Sequence, residues 1–147
     1  MRELEHMRRA AAVKVMIFDV DGVLTDGSLT YGPDGEVTKT FFVLDGLGIQ
    51  LLNKTGVKTA IISARQSAIV VKRAADLGIS HVYQGIHDKR VAFKSLLEET
   101  GVTADQCGYI GDDVIDLPLL LQVGFAVAVP SGHAEVQHRA HYVTRAN

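Results

Sequence analysis

The chain has 147 residues, a formal net charge of −2, and 47% hydrophobic, 22% charged and 6% aromatic residues, the composition of one compact domain rather than two. A chain of this length buries about 68–70% of the surface its unfolded form exposes, so its core needs neither disulfides nor a structural metal. The near balance of 15 basic and 17 acidic residues gives no footprint for nucleic acid or an anionic membrane, and no run approaches the roughly 20 apolar residues that span a bilayer. With a lone Cys107 and no export signal before the first strand-like run, the expectation is a cytoplasmic protein with a small-molecule ligand.

Residues 1–12 are charged without a clear period and read as a mobile N-terminal tail, with a short amphipathic helix as the alternative. A single domain is expected over 13–147. Apolar runs of strand length follow at Val13–Val20, Val57–Ile62, His81–Gln84, Gln106–Ile110 and Gly124–Val129. Helix-period segments fill the gaps at Leu47–Lys54, Ser67–Leu77, Lys89–Glu99, Val114–Gln122 and Ala134–Arg139. Gly56, Gly78 and Gly101 stand just past three of these helices, where a left-handed cap is wanted. Apolar strands separated by helices predict an α/β doubly wound parallel sheet covered on both faces. Ser28–Tyr31 and Glu36–Val43, separated by Gly32-Pro33-Asp34-Gly35, interrupt the rhythm and predict a β-hairpin after the first strand.

In such sheets the ligand crevice lies beyond the carboxyl ends of the strands. Four strand ends carry polar groups: Asp19 and Asp21 after the first, Ser63-Ala64-Arg65 after the second, Asp88-Lys89 after the third, and Asp112, Asp113 and Asp116 after the fourth. Each has a plain structural reading. Asp19-x-Asp21 fits a solvated turn, Ser63 a helix cap, Lys89 a surface lysine, and Asp112, Asp113 and Asp116 acids favoured at a helix start. Capping does not explain so many acids beside one another. Crowded carboxylates repel unless a hard cation sits among them, and oxygen-only donors point to Mg²⁺ rather than Zn²⁺.

Together the four places predict a phosphoryl-transfer site. Asp19 is the expected nucleophile, attacking phosphorus in line to form an acyl-phosphate, and Asp21 the general acid and then base. Lys89 is expected to hold Asp19 ionised and steady the phosphate, with Ser63 and nearby N–H groups on the phosphate oxygens. Thr25 and Asp26 are expected to orient the first loop. Cys107 is read as inert core, and His133, His138 and His141 match no metal-binding spacing.

Asp19-Val20-Asp21-Gly22-Val23, Ser63, Lys89 and Gly111-Asp112-Asp113-x-x-Asp116, in that order, resemble the four motifs of the haloacid dehalogenase superfamily. The resemblance covers nearly the whole chain from Val13. It implies a Rossmann-like phosphatase fold in which Asp19, the backbone carbonyl of Asp21 and Asp112 ligate Mg²⁺, with Asp113 and Asp116 supporting directly or through water. The 44 positions from Asp19 to Ser63 and the 26 from Ser63 to Lys89 leave no room for a cap domain. An uncovered site needs a macromolecular substrate or a lid from neighbouring subunits.

Asp26-Gly27, Phe42-Val43-Leu44-Asp45-Gly46, Arg65, Gln84-Gly85-x-x-Asp88-Lys89, Tyr109-Ile110-Gly111-Asp112-Asp113 and Tyr142-Val143-Thr144 are similar to the 3-deoxy-D-manno-octulosonate 8-phosphate phosphatase family. The resemblance implies release of a free sugar acid and phosphate in lipopolysaccharide precursor synthesis, and a homotetramer joined through the 28–43 hairpin. It also implies substrate contacts from Ser63, Ala64, Arg65 and Lys89, where Arg65 suits a carboxylate-bearing substrate. Ser63-Ala64-Arg65 departs from the family's usual Thr-Gly-Arg. The family also continues past Tyr-Val-Thr into a Gly-rich segment and a final helix, so either the C-terminal tail is truncated here or substrate grip and product release differ.

A response-regulator receiver has similar groups in another order, with its lysine after the hydroxyl residue near the end. A non-catalytic domain of the same fold and a phosphatase for nine-carbon sugar acid 9-phosphates are the remaining alternatives. Arg65 leans toward the eight-carbon substrate, because an acidic residue often stands there in the nine-carbon relatives.

Overall fold

The computed structural model describes residues 1–147. Its centre is a parallel sheet built from β1 (Val15–Phe18), β4 (Lys58–Ile62), β5 (His81–Tyr83), β6 (Cys107–Gly111), β7 (Phe125–Ala128) and β8 (Tyr142–Val143). The strands run in the order β5-β4-β1-β6-β7-β8. From β1 the chain first builds outward through β4 and β5, then crosses back to β6 and continues through β7 to β8. The order therefore reverses between β1 and β6, where a doubly wound sheet opens its ligand crevice.

Alternation along the strands divides the core. Val15 and Ile17 of β1, Ala60 and Ile62 of β4, and Tyr109 of β6 pack on one face. They lie against Phe93 and Leu96 of α4 (Lys89–Thr100), Leu119 and Leu120 of α5 (Leu117–Leu120), and Val136 of α6 (Ala134–Arg139). On the other face, Ile61 packs with Ile49 of α2 (Val43–Lys54) and with Val70, Ala74 and Leu77 of α3 (Ala68–Leu77). With both faces covered, the strands read as near-continuous apolar runs. Cys107 is fully buried and its thiol is pushed up to about 11 by that burial.

The expected insertion after β1 is the antiparallel hairpin of β2 (Thr30–Gly32) and β3 (Gly35–Thr38), a separate two-stranded sheet. Its second strand stops at Thr38 rather than Val43, because Phe42 caps α2 and the chain is helical from Val43. The segment expected as a mobile tail contains helix α1 (Arg2–Ala11). No residue of α1 is buried, and it is tied down by Arg9 Nη1 donating to the Gly124 carbonyl at 2.7 Å and by His6 stacking edge-on with Tyr142.

The helix expected over Val114–Gln122 is a 3₁₀ turn, Val114–Asp116, followed by the single turn α5. Asp113 and Asp116 form a reciprocal capping box that tightens the first turn. The two-residue strand β8 lies outside the expected elements and pairs with β7 through Val127–Tyr142 and Ala128–Val143. No helix is long and apolar enough to cross a membrane.

Candidate active site

Strand register brings the polar groups together. Phe18 of β1 pairs with Ile61 of β4 and Ile110 of β6, so the three strands end within one residue of one another. The ladder runs one bond further at each side: Asp19 N donates to the Ile110 carbonyl at 3.0 Å and Ser63 N to the Tyr83 carbonyl at 2.9 Å. The side chains that follow open into a cleft of about 210 Å³ lined by Asp19, Asp21, Ser63, Arg65, Lys89 and Asp112, with Ala64 and Asp113 on its walls. The four predicted strand ends therefore meet in one place.

Lys89, the first residue of α4, is the hub. Its side chain is 1% exposed, and Nζ donates to Asp116 Oδ1 at 2.6 Å, Tyr109 Oη at 2.8 Å and Asp19 Oδ1 at 3.2 Å. Burial works against its charge, but Asp19 and Asp116 more than offset that and hold the ammonium above its usual range. The expectation of a surface lysine does not apply here.

Asp116 is fully buried and its carboxylate is filled by donors. Oδ1 accepts from Lys89 and from the Tyr109 hydroxyl at 2.5 Å, and Oδ2 accepts from the backbone N–H groups of Asp112 at 3.1 Å and Asp113 at 3.2 Å. This arrangement makes Asp116 the floor that fixes both the lysine and the loop above. Asp113 is turned to its own backbone, with Oδ1 accepting from Val114 N at 2.6 Å. Two glycines allow the close approach. A Cβ on Gly111 would lie 2.6 Å from the Asp116 carboxylate, and one on Gly22 would overlap Asp112 Oδ2.

Asp19 and Asp112 bring carboxylate oxygens within 4.8 Å of each other across the β1–β6 gap. Burial pushes the Asp19 carboxyl up to about 8, despite Lys89 drawing it down. Burial also raises Asp112, with Asp116 and Asp113 adding to the rise. Carboxylates crowded together and desolvated in this way are the donors a cation would use, because its charge offsets both their burial and their mutual repulsion. Carboxylate oxygens of Asp19, Asp112 and Asp116 lie within 4.8 Å of one another, and with no His or Cys among them the donor set fits a hard divalent cation. The three late histidines join no such cluster: His133 Nδ1 accepts from Glu135 N and His141 Nδ1 from Ala126 N.

The loop after β1 is held by its own side chains. Thr25 Oγ1 accepts from Gly22 N and Gly27 N, each at 3.2 Å, and Asp26 Oδ1 accepts from Ser28 N at 2.8 Å. Ser63 is 3% exposed and its Oγ accepts from Arg65 N at 3.3 Å.

Four groups that sequence reasoning gave no role complete the surroundings. Tyr109 lies beneath Lys89, its hydroxyl held protonated by burial. From the hairpin, Lys39 Nζ donates to Asp21 Oδ1 at 2.5 Å and Glu36 Oε2 at 3.0 Å, and Arg65 Nη2 donates to Tyr31 Oη at 2.9 Å and Glu36 Oε2 at 3.2 Å. The signal for Tyr109 was its inward place in β6, just before Gly111-Asp112. The hairpin contacts had no signal, because they depend on where the hairpin folds back.

A parallel sheet with an acid-lined cleft at its switch point, a buried lysine and a short hairpin in place of a cap defines a class of phosphoryl-transfer hydrolases. A family profile of haloacid dehalogenase-like hydrolases matches residues 76–147. The 3-deoxy-D-manno-octulosonate 8-phosphate phosphatase of Yersinia pestis is 45% identical over 139 residues, covering 95% of this chain and 74% of that protein. A crystal structure of the Moraxella catarrhalis phosphatase of the same name, in complex with magnesium, phosphate and KDO, superposes with a TM-score of 0.92 at 41% identity, covering 99% of this chain and 82% of that one. The cobalt-bound Haemophilus influenzae deoxy-D-mannose-octulosonate 8-phosphate phosphatase superposes with a TM-score of 0.91 at 41% identity, covering 94% and 81%. The chain belongs to the haloacid dehalogenase-like hydrolases, in the family of these octulosonate 8-phosphate phosphatases.

Proposed function

We propose that the chain is a Mg²⁺-dependent phosphomonoesterase that hydrolyses 3-deoxy-D-manno-octulosonate 8-phosphate to the free sugar acid and inorganic phosphate, a step in lipopolysaccharide precursor synthesis. The observation that carries this reading is the convergence of Asp19, Asp112 and Lys89 at the β1–β6 switch point, in a chain 45% identical to a phosphatase of that name.

Asp19 is the nucleophile. Its carboxylate attacks phosphorus in line while Asp21 gives its proton to the departing sugar oxygen, and the P–O bond to the sugar breaks as the aspartyl-phosphate forms. Water then attacks the same phosphorus, Asp21 takes its proton, and the Asp19 carboxylate is regenerated. Lys89 keeps its charge beside Asp19 throughout, because Asp116 and Tyr109 fix it there. Ser63, the backbone at Ala64 and Lys89 hold phosphate oxygens, and Arg65 receives the sugar acid's carboxylate. Asp19, Asp112 and the Asp21 backbone carbonyl would hold Mg²⁺, with Asp113 and Asp116 supporting. When bound, the cation screens the repulsion between Asp19 and the phosphate dianion.

The hairpin of residues 28–43 is the contact through which four copies assemble and cover the cleft. Leu29, Tyr31, Val37 and Phe42, each between 45% and 60% exposed, support that role. A cytoplasmic location is supported by the free thiol of Cys107. Mg²⁺-dependent phosphate release from the eight-carbon 8-phosphate, with nine-carbon 9-phosphates and ribose 5-phosphate alongside, tests the reading. Preference for the first is expected, and equal slow hydrolysis of all three would refute the substrate assignment. Sedimentation showing only monomer at micromolar concentration would refute the assembly.

A further inference from the structure

Asp21 does not stand free at the mouth of the cleft. It closes a ring of four charged side chains: Lys39 donates to Asp21 and Glu36, Glu36 accepts from Arg65, and Arg65 Nε returns to Asp21 Oδ2 at 3.6 Å. The members differ in access. The Lys39 side chain is 1% exposed and contributes nothing to the cleft wall, whereas Asp21 and Arg65 both line it. Lys39 therefore cannot touch a substrate in the cleft. Its ammonium is sealed between two carboxylates, a placement that costs desolvation and persists only because both partners are correctly set.

A carboxyl that passes a proton to a leaving oxygen must be held in hydrogen-bond reach of it, and small misplacements are expensive in rate. The Asp21 side chain has two oxygens and free rotation about its bonds. The contacts that fix it are Lys39 on Oδ1 and Arg65, more distantly, on Oδ2. Arg65 is the more exposed of the two and is the group expected to turn toward the substrate, which leaves Lys39 as the lasting anchor.

We propose that Lys39 is a positioning residue for turnover, holding the Asp21 carboxyl at the leaving-group side of the cleft and, through Glu36, aiming Arg65. The proposal rests on the phosphatase reading given above, with Asp21 as the proton donor. Lys39 takes no proton from the substrate and gives none. The transferred proton goes from Asp21 to the sugar oxygen as the P–O bond breaks, and returns to Asp21 from the attacking water.

The test uses leaving groups that differ in their need for a proton. In the first displacement a sugar-acid phosphate leaves as a basic alkoxide and needs Asp21 well placed, whereas p-nitrophenyl phosphate leaves as a stable phenolate and does not. The water step that follows uses Asp21 with either substrate, so the readout is leaving-group release in the first turnover, followed by rapid quench. In Lys39→Met and Lys39→Gln, this first-turnover rate for the sugar-acid phosphate should fall by about 10²-fold, the lower range of general-acid effects. With p-nitrophenyl phosphate the first-turnover rate should stay within about threefold, by the same reasoning. Lys39→Arg should restore most of the sugar-phosphate first-turnover rate, and Asp21→Asn should show the same split as the neutral variants.

Equal losses on both substrates, no loss on either, or neutral variants that do not fold by circular dichroism would each overturn the proposal, the last by making Lys39 a structural residue. An Asp21→Asn variant without the split would overturn Asp21 as the proton donor, and the role of Lys39 with it. An unaltered chain that releases phosphate from neither substrate would overturn the phosphatase reading itself.

Discussion

Asp116→Asn separates two roles that acids near a cation site can have. In the structure the Asp116 carboxylate accepts four hydrogen bonds, from Lys89 Nζ at 2.6 Å, Tyr109 Oη at 2.5 Å, and the N–H groups of Asp112 and Asp113 at 3.1 and 3.2 Å. An amide has one oxygen, so its NH₂ must face either the lysine and tyrosine or the two backbone donors. Either way donors meet donors inside a fully buried site. Breaking one side of a buried ion pair costs about 3–5 kcal/mol. At this chain length each kcal/mol lowers Tm by about 3–4 °C, giving a loss of roughly 10–20 °C. Differential scanning calorimetry in EDTA reads this without any metal contribution. The account predicts the full loss in EDTA, together with a moderate weakening of Mg²⁺ binding as Asp112 loosens. An unchanged Tm in EDTA, with Mg²⁺ affinity lowered by two orders of magnitude or more, would show Asp116 to be a direct ligand and refute the reasoning.

Gly22 has φ +87°, and a Cβ there would overlap Asp112 Oδ2. Gly22→Ala should therefore cost about 1–2 kcal/mol of backbone strain and displace Asp112, weakening Mg²⁺ binding measured by calorimetry. Wild-type affinity in this variant would contradict the placement of Asp112. Protonation gives another check. Burial raises Asp19 to about 8, so the metal-free protein holds that proton at pH 7, while a bound cation requires the carboxylate. Mg²⁺ binding should thus release protons at pH 7 and none above pH 9, with affinity rising between those limits, as calorimetry in buffers of different ionisation enthalpy will show. For the stability of the metal-free protein the direction is the opposite. The stability gained by burying a neutral Asp19 is complete below pH 3.8 and is lost as pH rises toward about 8. A metal-free Tm that climbs over that range would contradict it.

The sheet was legible because its central strands are buried on both faces, which writes each of them into the sequence as an unbroken apolar run of strand length between turn residues. The acids and Lys89 were legible because strand ends are where this architecture exposes chemistry, so the sequence positions of Asp19, Ser63, Lys89 and Asp112 translate directly into a shared location. What the sequence hid was tertiary. Helix α1 was only the alternative reading of its segment, because Leu4 and Met7 at helical spacing stay exposed and no residue of the helix is buried; its anchor to Gly124 lies 115 residues away. Asp116 read as one more acid for a cation, whereas the fold spends its carboxylate on Lys89, Tyr109 and the Asp112–Asp113 backbone. Lys39 and Glu36 carried no reading in the sequence, because their partners Asp21 and Arg65 meet them only where the hairpin folds back.

The claim on which the rest depends is that Asp19 carries the phosphoryl group between the two displacements. Borohydride reduces an acyl-phosphate to an alcohol, so enzyme acid-quenched during turnover of 3-deoxy-D-manno-octulosonate 8-phosphate and then reduced can be mapped by mass spectrometry. The account predicts homoserine at position 19, dependent on both substrate and Mg²⁺ and absent, along with turnover, in Asp19→Asn. Continued phosphate release by Asp19→Asn, or reduction at another acidic residue, would contradict it.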